Sequence, residues 1–394
     1  MWETQLSNDE RRLLAAIAHG DEGARRVLAD LWQQGEDEPR GTLIHAQCDE
    51  LDIAQHLIAA HGARWRKPLV DAGFYESTLE FHRGFLRPLV VGESPGAYRA
   101  SAAIYLPVRE VDGADRNDRG VVVHEAIRLT ADGRDGRVAL KMPRGTSWFP
   151  DANDTLDREY QIVRRFTSPH LPRLRDVAAA RQGTALAFAW CGTSLAGLLK
   201  AARRAGRAPG EAVAIAIALQ LCAALDTIHT MGIIHTGVRP DHVAIAEGQV
   251  TLCDFESASC ELAAPPVAMR MATGIVKGQF KYLSPEQTRG LPVDASTDVF
   301  ALALVVGETV AGIHPIAAGL TDYGTLEAIR GLTFTLPVMR SRLGAALRAV
   351  LVNAPRPRAS AARFAHTLRE LAAAAHLQVG PEVISDFART VGAV

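Results

Sequence analysis

The chain has 394 residues, of which 48% are hydrophobic and 22% charged. That is more than one average domain and too apolar for wholesale disorder. Forty-three basic residues against forty-four acidic ones leave a formal net charge of -1, so no global field recommends binding to nucleic acid or to an anionic membrane.

Residues 8–34 repeat apolar positions with helical period, through Leu13, Leu14 and Ile17 and then Ala24, Val27, Leu28 and Leu31, with a break at 20–23. Residues 35–41 read as a charged turn and 43–58 as a further helix. A basic aromatic segment follows, Trp65-Arg66-Lys67-Pro68 and then Phe74 to Phe85. The short stretch 64–67 reads as a solvated face rather than a nucleic-acid patch, because the chain is neutral. Residues 1–92 are taken as a mainly helical module that ends at a turn-rich joint, 92–96. No apolar core follows Met1, where Glu3, Asp9 and Glu10 stand, so no secretory leader is expected.

From residue 98 the texture changes to short apolar runs at 103–108, 121–127, 138–142 and 185–190, which read as strands. A helix is expected near 157–166, and helical patterns dominate after Gly210. A small sheet-rich lobe followed by a larger helical one is an α+β layout. The apolar runs 212–225 and 299–306 are shorter than the roughly 20 residues a membrane span needs, and read as buried core helices. Residues 381–391 read as a short helix docked on the helical lobe. The five cysteines, Cys48, Cys191, Cys222, Cys253 and Cys260, form no CxxC pair and no Cys/His ligand spacing, which fits buried thiols in a reducing cytoplasm.

The chemistry-bearing strings begin at Val138-Ala139-Leu140-Lys141, a strand that ends on a lysine in an arginine-rich chain. Glu159 stands on the next helix, and a strand lysine with a helix glutamate can pair across a cleft and hold phosphates. Then come His235-Thr236-Gly237-Val238-Arg239-Pro240-Asp241-His242, Cys253-Asp254-Phe255-Glu256, Tyr282-Leu283-Ser284-Pro285-Glu286 and Thr297-Asp298-Val299-Phe300. In this order the strings resemble the eukaryotic-like protein kinase family, particularly its bacterial Ser/Thr branch, over about 98–375.

The resemblance implies a two-lobed protein-kinase-like fold, with a β-rich lobe at 98–190, a helical lobe at 191–375 and a helical tail at 376–394. It implies that Lys141 and Glu159 grip phosphate and that Asp254 holds Mg2+. Gly120, Val122 and Ala139 would cover ATP, with Ala244 beneath the adenine. Val163, Phe255 and His235 would stack as an apolar spine, and Asp298 would anchor the catalytic loop. An arginine of the turn Ala354-Pro355-Arg356-Pro357-Arg358 would pair with Glu286. Separately, the string 25–32 with Pro39-Arg40-Gly41 and Phe81-His82-Arg83-Gly84-Phe85 resembles a bacterial repeat-companion module, implying an interaction or packing role.

Several positions depart from the kinase pattern. Gly237 stands where the family has the aspartate that accepts the proton of the attacking hydroxyl, a loss worth about 10²–10⁴ in rate. His242 replaces an asparagine ligand, although Mg2+ prefers oxygen. In the phosphate-covering loop only Gly120 survives, and Asp115 and Asp118 would repel a triphosphate. Asp241 is the one nearby carboxylate that could substitute as base, at a position that does not carry the chemistry in the family. Ala244 is smaller than the usual leucine. Glu256 reads first as the loss of a flexible glycine and second as an added carboxylate at the metal site. Ser257, Ser259 and Thr273 read as ordinary loop hydroxyls, and Met269 and Met271 as packing residues.

The expectation is a cytoplasmic pseudokinase. It would be a kinase-fold regulatory protein with residual ATP and Mg2+ binding, impaired phosphotransfer and a protein partner, either an active kinase or its substrate. The alternatives are a weakly active Ser/Thr kinase and a kinase-fold transferase with other ATP chemistry.

Overall fold

Leucine and alanine spaced four apart give the first helix its buried stripe. In α1 (Glu22–Gln33), Ala24, Leu28 and Trp32 face inward together. The computed structural model describes residues 22–34, 38–48, 53–71, 81–82, 85–86, 98–99, 103–111, 121–130, 133–143, 152–180, 183–260, 279–316, 320–334, 341–353 and 358–393, with positions 9, 12, 13 and 16 besides. By packing, the chain separates into two compact units. The first is Met1–Val111, Val121–Ser147 and Arg175–Trp190; the second is Asp112–Gly120, Trp148–Leu174 and Cys191–Val394.

In the first unit, α2 (Glu38–Cys48) begins inside the stretch expected to be a turn, and the helix expected over 43–58 is two, α2 and α3 (Ile53–Asp71). Gly41 is helical for a packing reason. A Cβ there would stand 2.5 Å from the Ala29 carbonyl oxygen, so only glycine lets α1 and α2 approach so closely. Leu43, Ala46, Ala54 and Trp65 form a second small core between α2 and α3.

A hairpin, β1 (Phe81–His82) with β2 (Phe85–Leu86), precedes the main sheet. That sheet comprises β3 (Tyr98–Arg99), β4 (Ile104–Glu110), β5 (Val121–Thr130), β6 (Gly133–Pro143), β7 (Leu174–Ala180) and β8 (Gly183–Ala189). It closes as an antiparallel barrel in the order β3-β4-β5-β6-β8-β7. Alternation puts Val138, Leu140 and Met142 of β6 inside with Tyr105, Val122 and Ala187. The strands run further than their apolar centres, because β5 and β6 stay paired to Thr130 and Gly133. β7 has no period-two signal, since Arg175 and Asp176 interrupt it. Asp176 instead accepts a hydrogen bond from the buried Tyr105 hydroxyl at 3.2 Å.

The second unit holds α4 (Ala152–Val163), β9 (Thr193–Ser194), α5 (Leu195–Arg204), α6 (Gly210–Thr230), β10 (Val243–Ala246) and β11 (Gln249–Leu252). It continues through α7 (Pro285–Thr288), α8 (Ala295–Ala311), α9 (Asp322–Arg330), α10 (Arg342–Val350), α11 (Ala361–Ala374) and α12 (Pro381–Thr390). α4 starts earlier than expected and buries Leu156, Glu159, Ile162 and Val163. α6 is apolar nearly all round and packs against α8, α11 and α12. At 21 residues it outruns the apolar run read from the sequence and is long and apolar enough to cross a membrane, yet most of it is buried within the unit. Short polar residues start several helices: Ser194, Asp294, Thr321, Ser341 and Ser360 each accept a backbone N–H of the first turn.

One buried ion pair staples this unit. Arg358 Nη1 and Nη2 donate to Glu286 Oε1 and Oε2 at 2.5 and 2.8 Å, and Thr297 Oγ1 donates to Oε1 at 2.7 Å. Of the two arginines expected there, Arg358 makes the pair; residues 354–357 lie outside the described residues. Burial pushes the Glu286 carboxyl up, but the hydrogen bonds from Arg358 and Thr297 outweigh it and bring the pKa to about 2.

Arg358→Met leaves a buried carboxylate without its partner and should cost about 3–5 kcal/mol at pH 7, measured by urea unfolding. Because the Glu286 pKa is depressed, the pair's contribution is full above pH 4.5 and fades as pH falls towards about 2. The gap between variant and parent should therefore close over that range.

Candidate functional site

A buried carboxylate sets the geometry of the loop between α6 and β10. Asp298, on α8 and fully buried, accepts the His235 N–H on Oδ2 at 2.8 Å and the Thr236 N–H on Oδ1 at 2.8 Å. His229 Nε2 reaches the same Oδ2 at 2.8 Å. These bonds hold Thr236 in the left-handed region at φ 62, a conformation uncommon for a β-branched residue. The Thr236 hydroxyl donates to the Ser257 carbonyl at 2.8 Å, and Gln287 Nε2 donates to the Thr236 carbonyl at 2.8 Å.

His235 donates from Nε2 to the Cys253 carbonyl at 3.0 Å and accepts the Gly237 N–H on Nδ1 at 3.2 Å. Complete burial lowers its pKa to about 4 against the opposing pull of Asp298, so the ring is neutral near pH 7. It meets Phe255 edge-on at 4.7 Å, and Phe166 also meets Phe255 edge-on at 4.7 Å. Val163 is buried on α4.

Gly237 stands where the resemblance to kinases expects the proton acceptor, and it carries no side chain. A Cβ built there would lie 3.2 Å from Ser257 Oγ and 3.6 Å from His242 Nδ1. His242 braces the loop: its Nδ1–H donates to the Gly237 carbonyl at 2.8 Å. Its Nε2 lies 2.9 Å from both Arg239 Nε and Asp254 Oδ2. With Nδ1 committed, Nε2 accepts from Arg239 when the ring is neutral and donates to Asp254 when it is protonated.

Asp254 has φ 65, another left-handed non-glycine residue. That turn gathers carboxylates. Glu159, Asp254 and Glu256 offer oxygen atoms all within 4.8 Å of one another, and Glu159 Oε1 also accepts the Phe255 N–H at 3.0 Å. An all-oxygen set of partly buried carboxylates fits a hard divalent cation such as Mg2+. From the sequence Glu256 reads first as the loss of a flexible glycine and second as an added carboxylate at the metal site; the backbone turn at Asp254 favours the second.

The three atoms nearest a Cβ built at Gly237 belong to Ser257, His242 and His235. The Tyr282 hydroxyl donates to the Glu308 carboxylate at 2.5 Å, and the charge of Asp241 reaches both groups. Burial pushes both of those groups up, and Asp241 adds to the push.

In the first unit, Lys141 is buried on β6 opposite Val123 of β5 and Leu186 of β8, and Ala139 is opposite Glu125 and Phe188. Val122 is opposite Met142 and belongs to the barrel interior, so it does not share the face of Ala139 and Lys141. Val121 and Val123 do share that face, and a shift of one residue against the period-two pleat explains the difference. Ala244, in the second unit, lies half-buried on β10 opposite Thr251 and Ser194. Gly120, with Asp115 and Asp118, lies outside the described residues, as do Met269, Met271 and Thr273.

The protein kinase domain family matches residues 122–362. The chain is similar to serine/threonine-protein kinase PknA of Corynebacterium glutamicum, at 30% identity over 258 residues, covering 62% of this chain and 52% of that protein. It is similar to serine/threonine-protein kinase PkaB of Streptomyces coelicolor at 30% over 260 residues, covering 61% of this chain and 58% of that protein. Serine/threonine-protein kinase PknD of Mycobacterium tuberculosis matches at 32% over 165 residues, 41% of this chain and 24% of that protein. The chain thus spans little more than half the length of the first two relatives.

His235 binds its proton near pH 4 when folded and near 6.5 when unfolded. Unfolding therefore takes up a proton between those values, and stability present above pH 6.5 is lost as pH falls towards 4, by about 3 kcal/mol. His314, pushed down to about 3 by burial, acts in the same direction. Urea unfolding at stepped pH should show this slope, and His235→Phe should flatten it without abolishing it.

Proposed function

Because the chain belongs to the protein kinase family, we propose that it works as a pseudokinase, a regulatory protein that binds nucleotide and divalent cation but transfers phosphate poorly. The observation that carries this reading is Gly237, where the proton acceptor is missing and Ser257 and His242 crowd the vacant direction. Asp254 would hold the cation with Glu159 and Glu256, and Lys141 would meet the phosphates. A bound Mg2+ would supply charge neutralisation of the phosphate oxygens. The partner would be a protein, an active kinase or its substrate, brought in by the helical module at 1–92 in the cytoplasm.

A second reading, residual Ser/Thr kinase activity, is favoured by the relatives, which are named as kinases, and by the retention of Lys141, Glu159 and Asp254.

The melting temperature should rise by several degrees with ATP and Mg2+ together, and not in Asp254→Ala. Incorporation of γ-label into a protein substrate should stay at background. Label transfer that Lys141→Met abolishes would overturn the pseudokinase reading in favour of the second. The pair Gly237→Asp with His242→Asn should raise transfer by about 10² or more, the span of a general base.

A further inference from the structure

No aspartate or glutamate stands between Asp176 and Glu211, while Lys200, Arg203, Arg204 and Arg207 crowd the end of that stretch. In a chain with a net charge of -1, this is a local concentration of one sign. All four residues are exposed. α5 turns its apolar side inward, burying Leu195, Leu198, Leu199 and Ala202. Three and four residues apart, Lys200, Arg203 and Arg204 share one solvent-facing side of the helix. Arg207 follows the closing turn, where its backbone N–H reaches the Ala202 carbonyl at 2.9 Å.

An apolar neighbour completes the patch. Arg203 Nη1 donates to the Gly312 carbonyl at 3.1 Å, and a Cβ at Gly312 would lie 4.0 Å from the Ala208 Cβ. The end of α8 thus meets the end of α5, and the next residue, Ile313, is 56% exposed beside them.

Helix-end electrostatics accounts for only part of this cluster. Arg203 and Arg204 stand in the last turn of α5, where cations offset the negative end of the helix. Lys200 lies before that turn and Arg207 beyond it. Lys200 and Arg204 are like charges at a spacing of four, which is destabilising on its own. Among the described residues, the side chains of Lys200, Arg204 and Arg207 take part in no ion pair or hydrogen bond. The repulsion is left for something outside the chain to relieve.

We propose that this patch is a docking surface for an extended acidic segment of a partner protein, with carboxylates on alternate residues and an apolar side chain against Ile313. The spacing matches. Lys200 and Arg204 are about 6 Å apart along the helix axis, and same-side residues of an extended peptide are about 7 Å apart. The guanidinium forks of Arg204 and Arg207 suit carboxylates taken up two oxygens at a time. Other anionic partners find less here. A membrane needs an apolar helix face to enter it, and that of α5 is buried. A nucleic-acid strand is held by a basic track with aromatic side chains for stacking, and this patch offers Ile313 instead. The surface lies wholly within the second unit and depends on neither the nucleotide reading nor the module at 1–92.

The test follows the fluorescence anisotropy of a labelled peptide, with glutamate at alternate positions and one leucine, as the full chain is added. Saturable binding that weakens as salt rises is expected. Arg204→Glu with Arg207→Glu should weaken it about tenfold at an unchanged melting temperature. Ile313→Ser should weaken it about threefold. Absence of saturable binding, or equal binding by the charge-reversed variant, overturns the proposal. So does tighter binding of phosphatidylserine vesicles or of an oligothymidylate than of the peptide. Those wild-type titrations decide the matter even if the variant loses its fold.

Discussion

Asp298 is a full carboxylate buried at the centre of the helical unit, where an uncompensated charge would cost several kcal/mol. Backbone N–H groups of His235 and Thr236 and the His229 ring satisfy it. The dependence runs both ways. Without those donors α8 could not bury the charge, and without the charge the loop would have no reason to hold Thr236 at φ 62. His235 is then aimed at Phe255 and the Cys253 carbonyl, and His242 meets Asp254. The start of this loop is thus set by one buried carboxylate.

A second buried carboxylate, Glu286, works on the same principle at the other side of the loop. Its two oxygens are taken by Arg358, and Thr297 adds a third bond one residue before Asp298. α8 therefore carries adjacent side chains that tie down two different segments. Ser284 and Gln287 close a reciprocal cap on α7, and the same Gln287 reaches back to the Thr236 carbonyl. The scaffold is retained as a connected polar network whose members satisfy one another, so a change at one of them strands a buried partner. Gly237 and His242 are attached to that network but are not what holds it together.

The resemblance to kinases made this network legible, because it implies an anchoring role for Asp298, an arginine partner for Glu286 and a stack of His235 with Phe255. The two-layer order of sheet and helices was legible as well, from the switch between period two and period 3.6. What escaped depends on how the backbone turns. Val122 and Val121 are both apolar neighbours in a strand, and only the pairing of Val123 with Lys141 says which face each takes. Gly41 looks like a turn residue, and its helical placement follows from the approach of α1. Glu256 joins Glu159 and Asp254 because Asp254 adopts a left-handed backbone that no residue pattern announces.

The two departures from the kinase pattern in the loop are physically coupled. At Gly237 the direction a side chain would take is bounded by His242 Nδ1 at 3.6 Å and Ser257 Oγ at 3.2 Å. The imidazole is larger than the amide it stands in for and reaches the Gly237 carbonyl at 2.8 Å. An aspartate at 237 would put its carboxylate against that ring and the Ser257 hydroxyl, and a lone asparagine at 242 would forgo the bridge to Asp254. Each substitution makes room for, or use of, the other. A ring nitrogen held 2.9 Å from both Arg239 and Asp254 is already engaged and offers no oxygen to a hard cation. His242 is thus a brace of the loop, and the carboxylates that could hold a cation are those gathered around Asp254.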